Sequence, residues 1–106
     1  MRFTETPIAG AWVVDLDRLE DDRGFFARTW CEREFREHGM HDRLSQCSVS
    51  FNKRRGTLRG MHFQKAPRAE TKLVRAVRGR VFDVAVDLRP DSPTHRHWVG
   101  TELSAD

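Results

Sequence analysis

The chain has 106 residues, is 38% hydrophobic and 33% charged, and carries a formal net charge of +3. This size and composition predict one small globular domain with a modest core. No run of about 18 apolar residues is present, which excludes a membrane-spanning helix, and the first residues lack the apolar core of a signal peptide. Cys31 and Cys47 match no metal-binding spacing. Their thiols are expected to stay reduced in a cytoplasmic protein.

The first third of the chain predicts two strands and one helix. In order, the predicted elements are a strand at Trp12–Leu16, an acidic loop at Asp17–Gly24, a returning strand at Phe25–Trp30 and a helix at Cys31–His38. Gly39 stands where a helix C-terminus favours glycine. Phe35 gives this helix a small apolar face, so we expect it to be a surface element and not a catalytic one.

An alternating pattern at Gln46–Asn52 predicts the next strand. Its polar residues on one face are Gln46, Ser48, Ser50 and Asn52, and those on the other face are Cys47, Val49 and Phe51. The polar face suits either solvent or the lumen of a barrel that holds a polar ligand. A turn at 53–56 leads into a predicted strand at Thr57–Gln64. Gly60 is a candidate bulge that would turn Arg59 towards the face of His62.

The last third predicts further strands. These are Thr71–Val77, a tight hairpin turn at Arg78-Gly79-Arg80, the β-rich run Val81–Leu88, and a strand that starts at Trp98–Leu103. Asp83 is a carboxylate within an apolar strand, and we expect it to have a partner because an unpaired buried charge is costly. Short strands, one helix and no alternation of strands with helices indicate an antiparallel sandwich or barrel.

The stretch Arg59–Gln64 carries the first candidate for chemistry. His62 is the one histidine within an apolar, strand-like run, so we expect its side chain to be buried. A buried imidazole can take a proton from carbon if neighbouring charges stabilise the anion, and Arg59 and Lys72 are the candidates for this task. The alternative is a core histidine whose nitrogens only complete hydrogen bonds.

Positive charge is concentrated in the middle of the chain. Residues 43–80 hold eleven Lys and Arg residues against the single acid Glu70, a balance of +10. Such a concentration favours an anionic ligand, and arginine in particular suits phosphate. Part of this charge is expected only to keep strand surfaces solvated.

Six blocks in order resemble the N-terminal portion of the dTDP-4-dehydrorhamnose 3,5-epimerase family. The blocks are Arg23–Phe26, Gln46–Ser50, Leu58–Gln64, Lys72–Val74, Gly79–Val84 and Asp87–Thr94. The resemblance implies an all-β fold, a cupin-type jelly-roll sandwich with one short helix. It further implies that residues 1–106 form a single incomplete domain that lacks its C-terminal strands.

The resemblance also implies a reaction and a set of roles. Members invert C3 and C5 of a dTDP-linked 4-keto-6-deoxyhexose without a cofactor, in deoxysugar (rhamnose-type) biosynthesis. By position in the motifs, His62 would be the general base, and Lys72 would stabilise charge on the C4 oxygen. The remaining implied substrate-binding positions are Arg23, Arg28, Gln46, Ser48 and Arg59. Asp83 is a further, supporting candidate.

Three departures from the family pattern stand out. Arg28 replaces a glutamate and Ser48 replaces an asparagine. The chain has no tyrosine. The family's catalytic tyrosine, the acidic partner of the base and the aromatic residue that stacks on thymine all lie beyond the matched part. The chain therefore resembles the base and anion-binding half of an epimerase, and this short form is expected not to complete the reaction.

Other functions remain open on the sequence. A non-catalytic sugar-nucleotide-binding cupin module is the main alternative. A metal site at His95-Arg96-His97 lacks a third ligand, and nucleic-acid binding by Lys53-Arg54-Arg55 lacks interleaved aromatic residues. We expect no metal, cofactor, nucleic acid or membrane partner. The expected partners are the dTDP-sugar and a second copy that pairs through the strands of residues 1–30.

Overall fold

The computed structural model describes residues 1–105. Its elements are β1 (Arg2–Glu5), β2 (Trp12–Asp15), β3 (Arg18–Asp21), β4 (Gly24–Ala27), α1 (Glu32–Glu37), β5 (Arg80–Val86) and β6 (Trp98–Ser104). The strands pair as three antiparallel hairpins, β1–β2, β3–β4 and β5–β6. The predicted all-β architecture with one short helix is therefore confirmed.

The predicted acidic loop is in fact half of a hairpin. Arg18–Asp21 pairs with Gly24–Ala27, whereas the sequence had suggested that the second strand returns along β2. Asp21 lies opposite Gly24, whose φ of +134° suits a tight reversal. The guanidinium of Arg18 lies 4.6 Å from the centre of the Phe25 ring, a cation–π contact that charge patterning alone does not reveal.

Helix α1 ends as predicted. Gly39 has a φ of +67°, and its N–H donates to the Arg36 carbonyl at 3.0 Å. The N–H of Met40 donates to the Phe35 carbonyl, also at 3.0 Å. These two bonds form a Schellman motif, in which a left-handed glycine lets the chain turn back over the last helical carbonyls.

The helix packs its apolar side on the first hairpin. Phe35 is only 5% exposed and meets the ring of Phe3 edge-on, with 5.6 Å between ring centres. His38 stacks on Phe3 at 3.9 Å and meets Trp12 at 5.5 Å. This aromatic cluster and the buried Ile8 form the core of the described chain. The small apolar face that the sequence predicts at Phe35 is the side that packs.

Residues 46–77, here named the open segment, contradict the predicted secondary structure. The predicted strands Gln46–Asn52, Thr57–Gln64 and Thr71–Val77 are wrong, because this part of the described chain contains no strand or helix. Its one main-chain hydrogen bond runs from the Arg68 N–H to the Lys65 carbonyl. An extended chain becomes a strand only when a neighbour accepts its hydrogen bonds, and residues 1–105 supply no such neighbour here.

The open segment leaves the molecule expanded. The radius of gyration is 15.3 Å, whereas a compact chain of this length has about 13 Å. Large apolar side chains within it stay in solvent; Val49 is 82% exposed and Leu58 92%. The described core is correspondingly small.

The third hairpin is the longest. Each residue of β5 from Arg80 to Val86 has a partner in β6, from Ser104 to Trp98. The sequence had paired Val81–Leu88 with the run before Gly79, and that pairing is wrong. Gly79 instead precedes β5 with a φ of +71°, and its carbonyl accepts a bond from the Ala105 N–H at 3.1 Å.

Candidate functional site

The predicted site residues lie in three parts of the molecule, and all of them are exposed. Arg23 is in the β3–β4 turn and Arg28 follows β4, while Asp83 is on β5. The others lie on the open segment, namely Gln46, Ser48, Arg59, His62 and Lys72. Within residues 1–105 no hydrogen bond or ion pair joins any two of these candidates. The structure therefore keeps the candidate residues apart, and they do not form one enclosed site.

His62 is exposed, so the prediction of a buried imidazole is wrong for this structure. Its ring makes no hydrogen bond to any described residue. The physical reason is that no neighbouring strand pairs with this part of the described chain. A strand buries its inward side chains only when neighbouring strands form a sheet.

Arg59 is held by its own neighbourhood and does not contact His62. Its Nε donates to Asn52 Oδ1 at 2.6 Å, and one terminal nitrogen donates to the Phe51 carbonyl at 3.4 Å. Gly60 has a φ of +106°, which fits the predicted irregularity but does not turn Arg59 towards the imidazole. Sequence reasoning missed Asn52 as the orienting partner, although it ends the alternating polar face that begins at Gln46.

Three candidate cations are paired with local carboxylates. Arg23 donates to Asp21 at 2.6 Å, Arg28 to Glu34 at 3.2 Å, and the Lys72 ammonium lies 2.8 Å from Glu70. Exposed pairs of this kind are weak. A phosphate can therefore replace a carboxylate at each cation at little cost.

The neighbouring cations lower the pKa values of two of these carboxylates. Arg23 lowers the pKa of Asp21 through side-chain and main-chain hydrogen bonds. The pKa of Glu34 is lowered first by the N-terminal ammonium and then by Arg28. Both acids thus stay ionised, and they hold these two arginines near the first hairpins until an anion competes.

Asp83 has no partner among the described residues, so the predicted pairing is wrong here. The side chain is exposed and lies opposite Thr101 in the β5–β6 register. Since water solvates the carboxylate, the cost that motivated the prediction does not arise. Asp83 is nevertheless on a rigid strand, unlike the candidates of the open segment.

The most completely bonded polar group is Asp87, which sequence reasoning did not single out. It is 3% exposed, and its carboxylate accepts hydrogen bonds from Arg89, Ser92 and Thr94. Its main chain bonds to His97 and Arg96. Arg96 has a φ of +64°, a strained value for a residue with a side chain. Asp87 thus fixes the β5–β6 connection. In the sequence, this role was indicated only by the run Asp-Leu-Arg-Pro-Asp-Ser-Pro-Thr.

The described residues include no group of three or more His, Cys, Asp or Glu side chains able to hold a metal ion. His95 Nδ1 lies 3.0 Å from the main-chain oxygen of Arg89, so one nitrogen of the His95-Arg96-His97 run serves the loop. Both cysteines are free thiols. No helix in the described part is long and apolar enough to cross a membrane.

The antiparallel hairpins and the single short helix place the chain in the all-β class of folds. Residues 5–106 match the sequence model of the dTDP-4-dehydrorhamnose 3,5-epimerase family. The chain belongs to this family, and its fold is the N-terminal portion of the cupin-type epimerase fold.

Individual relatives agree with this assignment. The dTDP-4-dehydrorhamnose 3,5-epimerase of Pseudomonas aeruginosa is 49% identical over 106 residues, which cover 100% of this chain and 58% of the relative. The Bacillus anthracis epimerase, solved with TDP and PPi bound, superposes with a TM-score of 0.93 at 42% identity, over 99% of this chain and 60% of that one. An epimerase from Legionella pneumophila in complex with dTDP-4-keto-L-rhamnose has a TM-score of 0.79 at 34% identity, over 98% and 55%.

The chain spans about half to three fifths of the curated relatives it matches, from 49% to 59% of their length. Its matched portion is nevertheless nearly complete, so the open segment follows the same path as its counterpart in the Bacillus anthracis structure.

Proposed function

We propose that this chain supplies the general base and the anion-binding half of a cofactor-independent epimerase. The substrate would be a dTDP-linked 4-keto-6-deoxyhexose of deoxysugar biosynthesis, inverted at C3 and C5. The observation that carries the proposal is the close superposition, over 99% of this chain, on a relative solved with TDP and PPi bound. The roles given below are supported by the reaction for which the relatives are named and by the ligand bound to one of them.

The chemistry explains the residue types. Protons on carbons next to a ketone become removable when the developing enolate oxygen is stabilised by fixed charge. His62 accepts the proton, and Lys72 stabilises the C4 oxygen after it releases Glu70. Asp83 supports these groups from the rigid strand β5. No cofactor is needed, since the ketone of the substrate itself delocalises the charge.

Substrate binding is assigned to the remaining candidates. Arg59, oriented by Asn52, binds the diphosphate or the sugar, because a guanidinium matches a phosphate with two parallel hydrogen bonds. Gln46 and Ser48 offer neutral hydrogen bonds on the same segment. Arg28 stands where the family has glutamate, so the contact with the nucleotide base is expected to differ there.

Residues 1–106 are proposed to be one incomplete domain.

A second function, a non-catalytic sugar-nucleotide-binding module, is favoured by one observation: the sequence contains no tyrosine to act as the acid. Inversion requires proton removal on one face and return on the other, so a base alone leaves the reaction unfinished. Nucleotide binding, in contrast, requires only the arginines and the lysine.

The purified chain is expected to bind dTDP weakly and not to complete epimerisation. Calorimetry at matched salt should show tighter binding of dTDP than of a single-stranded oligonucleotide. Arg59→Ala should weaken dTDP binding by about tenfold, because it removes a charge-assisted phosphate contact. Lys65→Ala removes an exposed cation from the same segment and serves as the matched control.

Proton NMR of the dTDP-4-keto sugar in deuterated water tests the chemistry of the same sample. Exchange at one carbon without inversion fits a lone base, whereas absence of exchange with retained binding favours the non-catalytic module. Inverted product at an enzyme-like rate would show that another residue replaces the tyrosine. Equal affinity for dTDP and the oligonucleotide would contradict a sugar-nucleotide site.

We also infer a homodimer that forms through the strands of residues 1–30. Its support is the exposed edge of the β3–β4 hairpin, with Leu19 and Phe26 70% and 69% exposed on one face. Leu19→Glu combined with Phe26→Lys should shift the chain to monomer in light scattering. The control variant combines Val49→Glu with Leu58→Lys, which makes the same changes at two apolar residues outside residues 1–30. A wild-type monomer at micromolar concentration would contradict the dimer.

A further inference from the structure

We propose that the cleft between the β1–β2 loop and the β5–β6 connection binds a small aromatic acid, a planar ring system that carries one carboxylate. The cleft has a volume of about 390 Å³. Its lining residues are Pro7, Ile8, Arg96, His97, Trp98 and Val99. None of the candidate residues of the sugar-nucleotide site lines it, so the inference does not rest on the proposed function.

The β1–β2 loop forms the apolar side of the cleft, and Thr6 holds this loop in place. The Thr6 hydroxyl lies 3.1 Å from the Ile8 carbonyl and 2.9 Å from the Ala11 carbonyl, and it accepts a bond from the Ile8 N–H at 3.2 Å. The Ala11 N–H donates to the Ile8 carbonyl at 3.0 Å. Ile8 is only 6% exposed. This side of the cleft is therefore both apolar and fixed.

The β5–β6 connection forms the polar and aromatic side, and Asp87 holds it in place. The Arg96 N–H donates to the Asp87 carbonyl at 2.7 Å, and the His97 carbonyl accepts a bond from the Asp87 N–H at 2.9 Å. Trp98 follows as the first residue of β6, where it pairs with Val86. The main chain of all three lining residues is thus fixed, and a site that needs no ordering loses less entropy on binding.

Arg96 is the strongest indication that the cleft takes a ligand. Among residues 1–105 it is the one residue other than glycine with a positive φ, +64°. Glycine adopts this conformation without steric cost, whereas a side chain strains the main chain there, and such strain is concentrated at ligand-binding positions. The Arg96 side chain is exposed and pairs with no carboxylate of the described chain, unlike Arg89 in the same connection, which binds Asp87. Its guanidinium is therefore available to an anion.

The lining residues specify the chemistry of the ligand. A guanidinium binds a carboxylate with two parallel hydrogen bonds, and the ring of His97 can donate a further one. Trp98 is 63% exposed, so its indole can stack on a planar ring while Pro7 and Ile8 contact the edge of that ring. The lining contains no acid, so its charge favours an anion. The volume is at the lower end of the range for small-molecule sites, about 300–1,000 Å³, which suits one or two fused rings.

The test uses 2-naphthoate as the probe and its neutral isostere 2-naphthamide as the matched control. Binding to the 106-residue chain is followed by NMR through the indole N–H signal of Trp98. We expect 2-naphthoate to shift this signal with a dissociation constant on the order of 1 mM or below. The amide should bind at least about tenfold more weakly, because it lacks the charge. The indole signal of Trp30, which lies near Phe35 and outside the cleft, should not shift.

The substitution Arg96→Gly separates the ligand contact from the fold. Glycine suits a φ of +64°, so the variant should keep the amide spectrum of the wild type while its binding of 2-naphthoate weakens by at least about tenfold. Arg96→Lys keeps the charge but not the planar fork, and should retain part of the binding. Arg78→Gly makes the same change at an exposed residue outside the cleft and should bind as the wild type does.

The remaining outcomes overturn the proposal. Equal binding of the acid and the amide would show that no charge is recognised, and unchanged binding by Arg96→Gly would place the carboxylate elsewhere. Binding that weakens as the protein concentration rises would assign the cleft to a second copy. The titration is repeated on a fusion to the unmatched C-terminal part of the Pseudomonas aeruginosa relative, where loss of binding would show that this part covers the cleft.

A competition with dTDP separates this cleft from the sugar-nucleotide site. We expect dTDP to leave 2-naphthoate bound, because the two sites share no residue. Displacement of 2-naphthoate by dTDP would merge the two sites and refute a separate one. A chain that binds 2-naphthoate but not dTDP would count against the proposed function alone.

Discussion

His62→Ala is expected to slow solvent-deuterium incorporation at C3 and C5 of the dTDP-4-keto sugar by about 10²–10⁴-fold, the usual cost of losing a general base. The assay uses a fusion of residues 1–106 to the unmatched C-terminal part of the Pseudomonas aeruginosa relative, so that both catalytic faces are present. Binding of dTDP should be spared, because the imidazole acts on the sugar carbons and the nucleotide is held by the arginines. NMR in deuterated water measures the exchange, and calorimetry measures the binding.

His41→Ala is the control for this change. His41 is also exposed, lies in polar sequence after α1 and has no assigned role. It should leave exchange and binding at the level of the parent fusion. Undiminished exchange in the His62 variant would return this residue to a structural role, and loss of binding together with exchange would point to misfolding of the site.

The local elements of the fold could be predicted from the sequence. The helix was found because Gly39 and the acidic first turn mark its ends, and β5 because a run of β-branched residues alternates. Strand β2 was predicted as part of Trp12–Leu16. In each case the residues that stabilise the element are near it in the chain, as in the Schellman bonds of Gly39.

Pairing could not be predicted in the same way. Strand propensity states that a residue fits a sheet, but a ladder needs a partner that can be far away in sequence. Residues 46–77 have the pattern of strands and no strand partner in the described chain. Arg18–Asp21 has a loop-like, acidic composition, yet it pairs with Gly24–Ala27 directly after it. At both places the pairing of strands decides the secondary structure, and strand propensity alone does not encode that pairing.

The candidate site, too, could be predicted only in part. The residue types and order around His62 were sufficient to assign the family, and the family model confirms that assignment. The local contacts of Arg59 with Asn52 and of Lys72 with Glu70 depend on loop geometry that alternation does not encode. Within residues 1–105 no hydrogen bond or ion pair joins His62, Lys72 and Asp83, so their mutual arrangement follows neither from the sequence pattern nor from local contacts.

Asp87→Asn is expected to open the β5–β6 connection, with amide exchange in β5 and β6 faster by about tenfold or more. The carboxylate is 3% exposed and accepts from Arg89 at 2.8–3.0 Å, Ser92 at 2.5 Å and Thr94 at 2.7 Å. An amide loses the negative charge and turns one acceptor into a donor that faces these same donors. Asp91→Asn changes an exposed carboxylate of the same loop and should have little effect.

The pH dependence identifies the charge as the cause. The Arg89 guanidinium, then the Ser92 and Thr94 hydroxyls, hold the pKa of Asp87 well below its ordinary value of 3.8. The unfolded carboxyl therefore takes up a proton first, so its contribution to stability is complete above about pH 5 and falls as the pH drops towards the lowered pKa. Protection of β5 and β6 should decline with acid more steeply in the wild type than in Asp87→Asn, and the two should converge. Because the carboxylates of the first hairpins titrate in both proteins, only the difference between them reports on Asp87. Parallel profiles would show that hydrogen-bond geometry, and not the charge, holds the loop.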